Sequence, residues 1–263
     1  MKKAIYTIKI GTNPNWDLCI KSQEAYAKKH NIDYIILTDR RVNWPYGPNP
    51  VANFYFEKLQ VVSLFQLQKY DQILYMDSDI LITPHARNIF EVYPKIDTYY
   101  GFDESMNVGI TGPTMFGGVA DIMDRDPYVE SVLPYLLRWN KNSRKKYIYY
   151  NMGVMLMGKD MMQKFASYSN LIDLARIPRI YDFNDQTFFN AMIQHYNIPN
   201  EGIEHSFNRM HLGLPDVSNE RYKADFIHYA GPCLYGIKGE YSEEGKRQAV
   251  ITDYNHFYAS QPV

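Results

Sequence analysis

The 263-residue chain predicts an α/β fold built on a mostly parallel sheet. Three observations carry this reading. Between Ala4 and Met76, short apolar, β-branched runs alternate with longer stretches of helical periodicity. That alternation is the pattern of right-handed βαβ crossovers, which place successive strands parallel. The composition is that of a globular chain, with 46% hydrophobic and 22% charged residues, which excludes a mostly disordered protein. The length is enough for one large domain with a full core. Neither a linker nor an internal repeat divides the chain, so a single domain over 1–263 is expected.

The elements follow in order. Ala4–Ile10 alternates with period two and ends at Gly11-Thr12-Asn13-Pro14, a strand and its turn. Trp16–His30 places Leu18, Cys19, Ser22, Ala25 and Tyr26 at helical spacing. Asp33–Thr38 is a continuous apolar run, the pattern of a buried parallel strand. A Pro-, Gly- and Asn-rich loop covers 39–50. Phe54–Lys69 predicts a second helix and Gln72–Met76 a third strand. Beyond them, Tyr99–Asp103 reads as a strand end, Gly109–Val119 as a glycine-rich loop, Pro127–Trp139 as a helix and Lys141–Lys146 as a solvated basic loop. Tyr147–Met157 is β-like, Asp160–Tyr168 and Asp185–His195 are helical, and Asp225–Tyr229 is a late strand. A small antiparallel portion is expected in this C-terminal half.

Composition also narrows function. Twenty-eight basic and 29 acidic residues give a net charge of -1, which disfavours a non-specific nucleic-acid binder. The two cysteines, Cys19 and Cys233, are too few for a disulfide framework or a cysteine-rich zinc site. The 24 tyrosines would mostly pack, while some could line a sugar or nucleotide cleft with an apolar face and a hydroxyl. No apolar run approaches the roughly 18 residues of a membrane span. Met1-Lys2-Lys3 leads into a strand and not into a signal peptide. A cytoplasmic protein, at most peripheral to a membrane, is the expectation.

The chemistry concentrates at Ile73-Leu74-Tyr75-Met76-Asp77-Ser78-Asp79-Ile80. An apolar strand ends in two carboxylates one residue apart, which alternation places on one side of the backbone. Hard oxygen donors at a strand's carboxyl end suit Mg²⁺ or Mn²⁺, whose open positions take phosphate oxygens. No Gly-x-Gly-x-x-Gly and no Walker-type Gly-Lys-Ser/Thr is present. A bound nucleotide would therefore need such a cation as counter-charge. Ligands of open α/β sheets bind beyond the carboxyl ends of the strands, where Gly11, Thr12 and Asp39 also fall.

An ordered set of motifs resembles the GT-A (Rossmann-like) glycosyltransferases, closest in pattern to the glycogenin-like and bacterial galactosyltransferase group, glycosyltransferase family 8. The set comprises Gly11-Thr12, Lys58, Tyr75-Met76-Asp77-Ser78-Asp79, Tyr150-Asn151-Met152-Gly153, Asn184-Asp185-Gln186, Phe207-Asn208 as a strand-end Asn, and Ile227-His228-Tyr229-Ala230-Gly231-Pro232. The resemblance implies a nucleotide-binding half over about 1–105 and a sugar and acceptor half over about 106–263. It implies Asp77, Asp79 and His228 as ligands of Mn²⁺ or Mg²⁺. It places Gly11, Thr12 and Asp39 near the nucleobase and ribose. Lys58, Ser78 and Gly231 would lie near the diphosphate or the Asp77 side of the site. Asn151, Asp185 and Gln186 would surround the transferred sugar, with Gln186 near the anomeric carbon in retaining members and Asp103 a further candidate. Asp185 also fits a helix N-cap.

The late motif departs from the family pattern. A lysine closely following Gly-Pro is absent, and the first lysine is Lys238. Either a shifted loop brings Lys238 to the phosphate, or that contact is lost. The implied reaction moves a hexose from a nucleoside diphosphate sugar, UDP being expected, to a hydroxyl of a glycan, a lipid-linked glycan or a protein. Tyr147, Tyr149 and Tyr150 would flank the acceptor or simply pack.

Two rivals compete. A haloacid dehalogenase-like phosphatase also uses Asp-x-Asp after a strand, but that motif opens its domain and a late Gly-Asp-x-x-x-Asp is expected. A non-catalytic nucleotide- or glycan-binding domain would not need the intact Asp77, Asp79 and His228.

Overall fold

The computed structural model describes residues 1–41, 55–61, 70–103, 150–161, 185–186, 189–190, 193, 197–210, 220–230 and 243–259. Two sheets organise them. The larger has strand order β2-β1-β3-β6-β5-β7, with β1 Lys3–Ile8, β2 Asp33–Leu37, β3 Gln72–Met76, β5 Tyr99–Asp103, β6 Tyr150–Gly158 and β7 Asn200–Gly202. The smaller runs β4-β9-β8, with β4 Ile80–Ile82, β8 Arg209–Met210 and β9 Phe226–His228. β1 pairs parallel with β2 and β3, and β5 pairs parallel with β7. β6 runs antiparallel to both its neighbours. The antiparallel portion thus lies in the middle of the sheet and joins the two halves of the chain.

Alternation sorts each strand between two cores. Ile73 and Tyr75 join Tyr6, Tyr99, Met155 and Met157 on one face. Leu74 and Met76 join Ile5, Tyr100, Val154 and Leu156 on the other. Each fully buried aliphatic side chain contributes about 1.5–3 kcal/mol relative to exposure. β2 differs from expectation. It is parallel, but it is the sheet's edge strand, Leu37 is its one buried residue and Ile36 is exposed. An apolar run reports β-propensity, whereas the edge position is set by which strands pair.

Helix α1, Asp17–Lys29, carries Asp17 in its first turn and Lys28 and Lys29 in its last, charges that complement the helix dipole. Its buried stripe is Cys19, Ile20, Ser22, Gln23, Tyr26 and Ala27. Two of these are polar, and both grip the segment after β3. Ser22 Oγ accepts from the Ile82 amide at 2.9 Å. Gln23 Nε2 donates to the carbonyls of Asp77 and Ile80 at 3.0 and 2.9 Å, and Tyr34 OH donates to Gln23 Oε1 at 3.0 Å. The acidic turn is thus held from behind by the first helix.

After the one-turn helix α2, Ile89–Val92, the last described helix is α3, Glu243–Tyr258. It packs with α1 around Cys19, Leu81, Ile227, Tyr229, Ala249 and Val250. Sequence periodicity did not single it out, because its buried side includes Lys246 and Asp253 beside Ala249 and Val250. Asp253 is satisfied there by Arg221, Tyr222 and Tyr229. Of the expected second helix, only 55–61 falls among the described residues and includes a 3-10 turn at Phe56–Lys58. The expected elements at 109–119, 127–139 and 141–146, and most of 160–168, lie outside the described residues. Among the described residues, no helix is long and apolar enough to cross a membrane.

Candidate active site

Parallel register brings the carboxyl ends of β2, β1 and β3 to one edge, since Thr7 stands beside both Ile36 and Met76. Gly11, beyond β1, has φ of 85°, a left-handed conformation that a side chain would strain. Thr12 and Asp39 are exposed, and the Asp39 carbonyl accepts from Gln60 Nε2 at 3.0 Å. Asp77, Ser78 and Asp79 are half-buried in the turn between β3 and β4.

β6 and β9 complete the site. The Asp77 amide donates to the Gly153 carbonyl at 2.8 Å, and the Tyr229 amide to the Asp79 carbonyl at 3.0 Å. β9 pairs antiparallel with β4 so that His228 stands opposite Ile80. The buried imidazole thereby reaches the carboxylates, with Nε2 3.4 Å from Asp79 Oδ1 and 3.9 Å from Asp77 Oδ2. All three residues offer ligand atoms within 4.8 Å of one another.

Gly153 makes this approach possible. A Cβ there would collide with His228 Cε1 and lie 2.9 Å from Nε2 and 3.0 Å from Asn151 Oδ1. The glycine of the Asn-x-Gly strand is therefore space for the histidine ring.

Lys58 links this cluster to the neighbouring polar group. Its ammonium lies 2.7 Å from Asp185 Oδ2 and 3.3 Å from Asp77 Oδ1, and donates to the Met152 carbonyl at 3.0 Å. These three acceptors match the three N–H donors of a lysine. Burial works against its charge, but Asp185 and then Asp77 outweigh it and hold the ammonium above its usual range. Burial pushes the Asp185 carboxyl up, and Lys58 draws it back only in part. Tyr75, whose hydroxyl donates to Asp77 Oδ1 at 2.6 Å, is raised by burial and then by that carboxylate.

Asp79 shows what the cluster favours. Burial alone would raise its carboxyl, yet His228 first and Lys246 further off hold it below the ordinary range. Its buried Oδ1 faces the His228 imidazole at 3.4 Å. Such an oxygen is costly unless something positive meets it. Two ligands of one octahedral ion at roughly 2.1 Å stand about 3–4 Å apart, as do His228 Nε2 and the two carboxylates. Carboxylate oxygens suit Mg²⁺ and Mn²⁺, and the imidazole favours a transition ion. The residues fit a divalent cation of this class.

Beside the cluster, Asn151, Asp185 and Gln186 are all buried and adjacent. Asn151 Nδ2 donates to Gln186 Oε1 at 3.3 Å. Asn208 Nδ2 donates to Asn151 Oδ1 at 3.0 Å, and Asn208 Oδ1 meets His228 Nδ1 at 2.8 Å. Asn208 closes the 3-10 turn His205–Asn208 just before β8, not the end of a strand. Asp103 ends β5 opposite Tyr150. Gly231 and Lys238, expected near the diphosphate, lie outside the described residues.

Sequence reasoning brought Asp77, Asp79, His228, Lys58, Asn151, Asp185 and Gln186 forward, and the structure gathers them in one place. It assigned no role to Gly153, Gln23, Ser22 or Tyr75. A signal existed for Gln23, since a polar residue in the buried stripe of a helix needs a buried partner.

The sequence model of Glycosyl transferase family 8 matches residues 21–233. The chain is similar to a solved glycosyltransferase involved in the glycosylation of the major capsid of PBCV-1, with 11% identity and a TM-score of 0.55 over 94% of this chain and 99% of that one. It is similar to the bifunctional glycosyltransferase WbbM, with 14% identity and a TM-score of 0.56 over 98% of this chain and 50% of that one. It is also similar to the galactosyltransferase LgtC, solved with donor and acceptor sugar analogs, with 12% identity and a TM-score of 0.52 over 98% and 97% of the two chains. At these identities the likeness establishes the shared GT-A fold and nothing finer. No match was found among curated proteins.

Proposed function

The chain belongs to glycosyltransferase family 8, and on that premise we propose that it is a metal-dependent hexosyltransferase using a nucleoside diphosphate sugar, with UDP as the nucleotide. The observation that carries this reading is the convergence of Asp77, Asp79 and His228 beside Asn151, Asp185 and Gln186 at the carboxyl edge of the sheet. The acceptor is a hydroxyl of a glycan, a lipid-linked glycan or a protein. The reading takes residues 1–263 as one domain, with its nucleotide half over about 1–105.

In this reading Asp77, Asp79 and His228 hold Mn²⁺ or Mg²⁺. When bound, the ion supplies positive charge to the leaving diphosphate, where negative charge grows in the transition state. The chain's own residues do the rest. Gly11, Thr12 and Asp39 meet the nucleobase and ribose, and Ser78 lies along the phosphates, to which Gly231 and Lys238, outside the described residues, are also assigned. Lys58 holds Asp77 and Asp185 at fixed separation. Asp185, Gln186 and Asn151 orient the sugar hydroxyls through acceptors and amides, with Gln186 beside the anomeric carbon. Buried Asp185 also offers a carboxylate to the oxocarbenium-like charge on the sugar. The family's habit supports retention at that carbon.

Calorimetry of UDP with and without Mn²⁺, followed by UDP-glucose and UDP-galactose, tests the proposal. Mn²⁺-dependent UDP binding with turnover of one sugar is expected. UDP binding that ignores Mn²⁺ would overturn the metal assignment, and binding of another nucleotide in place of UDP would overturn the donor.

A further inference from the structure

The amides between the sugar side and the cation side form a chain with only one consistent direction. It starts at a group whose role cannot change. The Gly153 backbone N–H can only donate, and it lies 2.9 Å from Asn151 Oδ1, so that atom is the carbonyl oxygen. The Met152 amide likewise faces Gln186 Oε1 at 3.4 Å, which in turn receives Asn151 Nδ2. Asn151 Oδ1 has a second lone pair, and Asn208 Nδ2 fills it at 3.0 Å. Turning the Asn208 amide over would set two oxygens against each other. With Nδ2 committed to Asn151, Asn208 presents its oxygen to His228 Nδ1 at 2.8 Å. A carbonyl oxygen cannot donate, so Nδ1 must carry the proton. Nε2 is then the nitrogen left to pair with Asp79 or, in its place, with a cation. That nitrogen faces Asp77 and Asp79.

We propose that Asn208 is a positioning residue that locks His228 in the Nδ1–H tautomer and so keeps Nε2 available as a lone-pair donor toward the cation shared with Asp77 and Asp79. This rests on the metal reading above. Outer partners of a ligating histidine commonly act in this way, and their loss typically costs 10–100-fold in metal affinity. Asn208 is fully buried and His228 nearly so, so solvent does not readily replace the amide. Asn208 touches neither donor nor acceptor in this role; it acts through the imidazole.

The test begins with the cation-free wild-type protein at a pH where the ring is neutral. Long-range ¹H–¹⁵N correlation of a ¹⁵N-histidine sample should show His228 as the Nδ1–H tautomer. Asn208→Leu, which keeps bulk and removes both amide groups, should populate the Nε2–H tautomer and weaken Mn²⁺ binding about 10–100-fold, read by electron paramagnetic resonance of free Mn²⁺ with and without UDP. Asn208→Asp keeps an acceptor at Nδ1 but sets an oxygen against Asn151 Oδ1, so it should retain the wild-type tautomer with a loss of stability. Arg87→Ala, away from this chain of amides, should change neither reading. Absence of Mn²⁺ binding by the wild-type protein would overturn the metal reading and the proposal together. Mn²⁺ binding by a wild-type protein whose ring is Nε2–H would overturn the positioning role alone, whether or not Asn208→Leu folds. So would an unchanged tautomer with unchanged affinity in a folded Asn208→Leu.

Discussion

Strand β9 is three residues long, and charge gathers at both of its ends for different purposes. Just before it, Asp225 is closed off by protein groups. It accepts from the Arg87 amide at 2.8 Å and from Arg87 Nη2 at 2.7 Å, while the same guanidinium reaches Glu204 and Ser206 at 2.8 Å and lies over the Phe207 ring. At the other end, His228 meets Asp77 and Asp79. There Asp77 and Asp185 share the single ammonium of Lys58, and buried Asp79 Oδ1 faces the His228 imidazole at 3.4 Å. At the first end folding by itself gives the buried Asp225 its partner. The second end retains negative charge that suits a ligand cation. A buried charge fully met by protein groups is structure, while a cluster of carboxylates met only in part suits a ligand cation.

The largest expected effect breaks the His228 end. Asp79→Asn should reduce Mn²⁺ affinity and sugar transfer by more than about 100-fold, beyond the upper end typical for residues outside the ligand set. Retention of both, in titration and turnover assays, would show that the cluster is as self-contained as the Asp225 end.

Lys58→Met removes the one ammonium between Asp77 and Asp185. Leaving two largely buried carboxylates uncompensated should cost about 3–5 kcal/mol in denaturant unfolding. A loss under 1 kcal/mol would mean that these carboxylates do not strain against each other, and the contrast between the two ends would dissolve.

Gly153→Ala sharpens the comparison sterically. The added methyl must displace His228, at about 1–3 kcal/mol of stability, and Mn²⁺ binding should weaken with it. Unchanged stability and binding would show that the ring does not need that space.

The smallest effect is at the Asp225 end. Arg87→Ala should cost about 1 kcal/mol at neutral pH, because Arg87 is itself half exposed to solvent. Burial would raise the Asp225 carboxyl, but the Arg87 hydrogen bonds outweigh it and hold it below the ordinary carboxylate range. A depressed carboxyl stabilises the fold above its unfolded value, near pH 4, and loses that contribution as pH falls through the folded value. The difference between wild type and Arg87→Ala should therefore shrink below about pH 4 in thermal melts. A difference that grows with acid would contradict the pairing.

Much of this was legible in the residues themselves. Period-two and helical patterns predicted β1, α1 and β3 to within a residue or two, because side-chain direction along a strand or helix is a local property. Ile73–Asp79 declared itself because two carboxylates one residue apart after an apolar strand are a pair of hard oxygen donors on one side of the backbone. Pairing order was not legible. The apolar run at Asp33–Thr38 reads the same in a central or an edge strand, and β6 shows no local sign that it runs antiparallel between β3 and β5. α3 was hidden because Lys246 and Asp253 occupy its buried side, and their partners come from elsewhere in the chain.

The sequence by itself determined the α/β class, the acidic turn and, through an ordered set of motifs, membership of glycosyltransferase family 8. Only the tertiary structure decided that β9 lies antiparallel to β4, that Gly153 leaves room for the His228 ring, and that Asn208 stands between Asn151 and that ring. The reason is physical. Residue type and spacing govern what a segment can do within one or two turns or strands, whereas a ligand cluster needs lone pairs from Asp77 and His228, 151 positions apart, to meet within a few ångströms. That meeting depends on strand pairing and on Gly153, whose missing side chain leaves the place that the His228 ring takes.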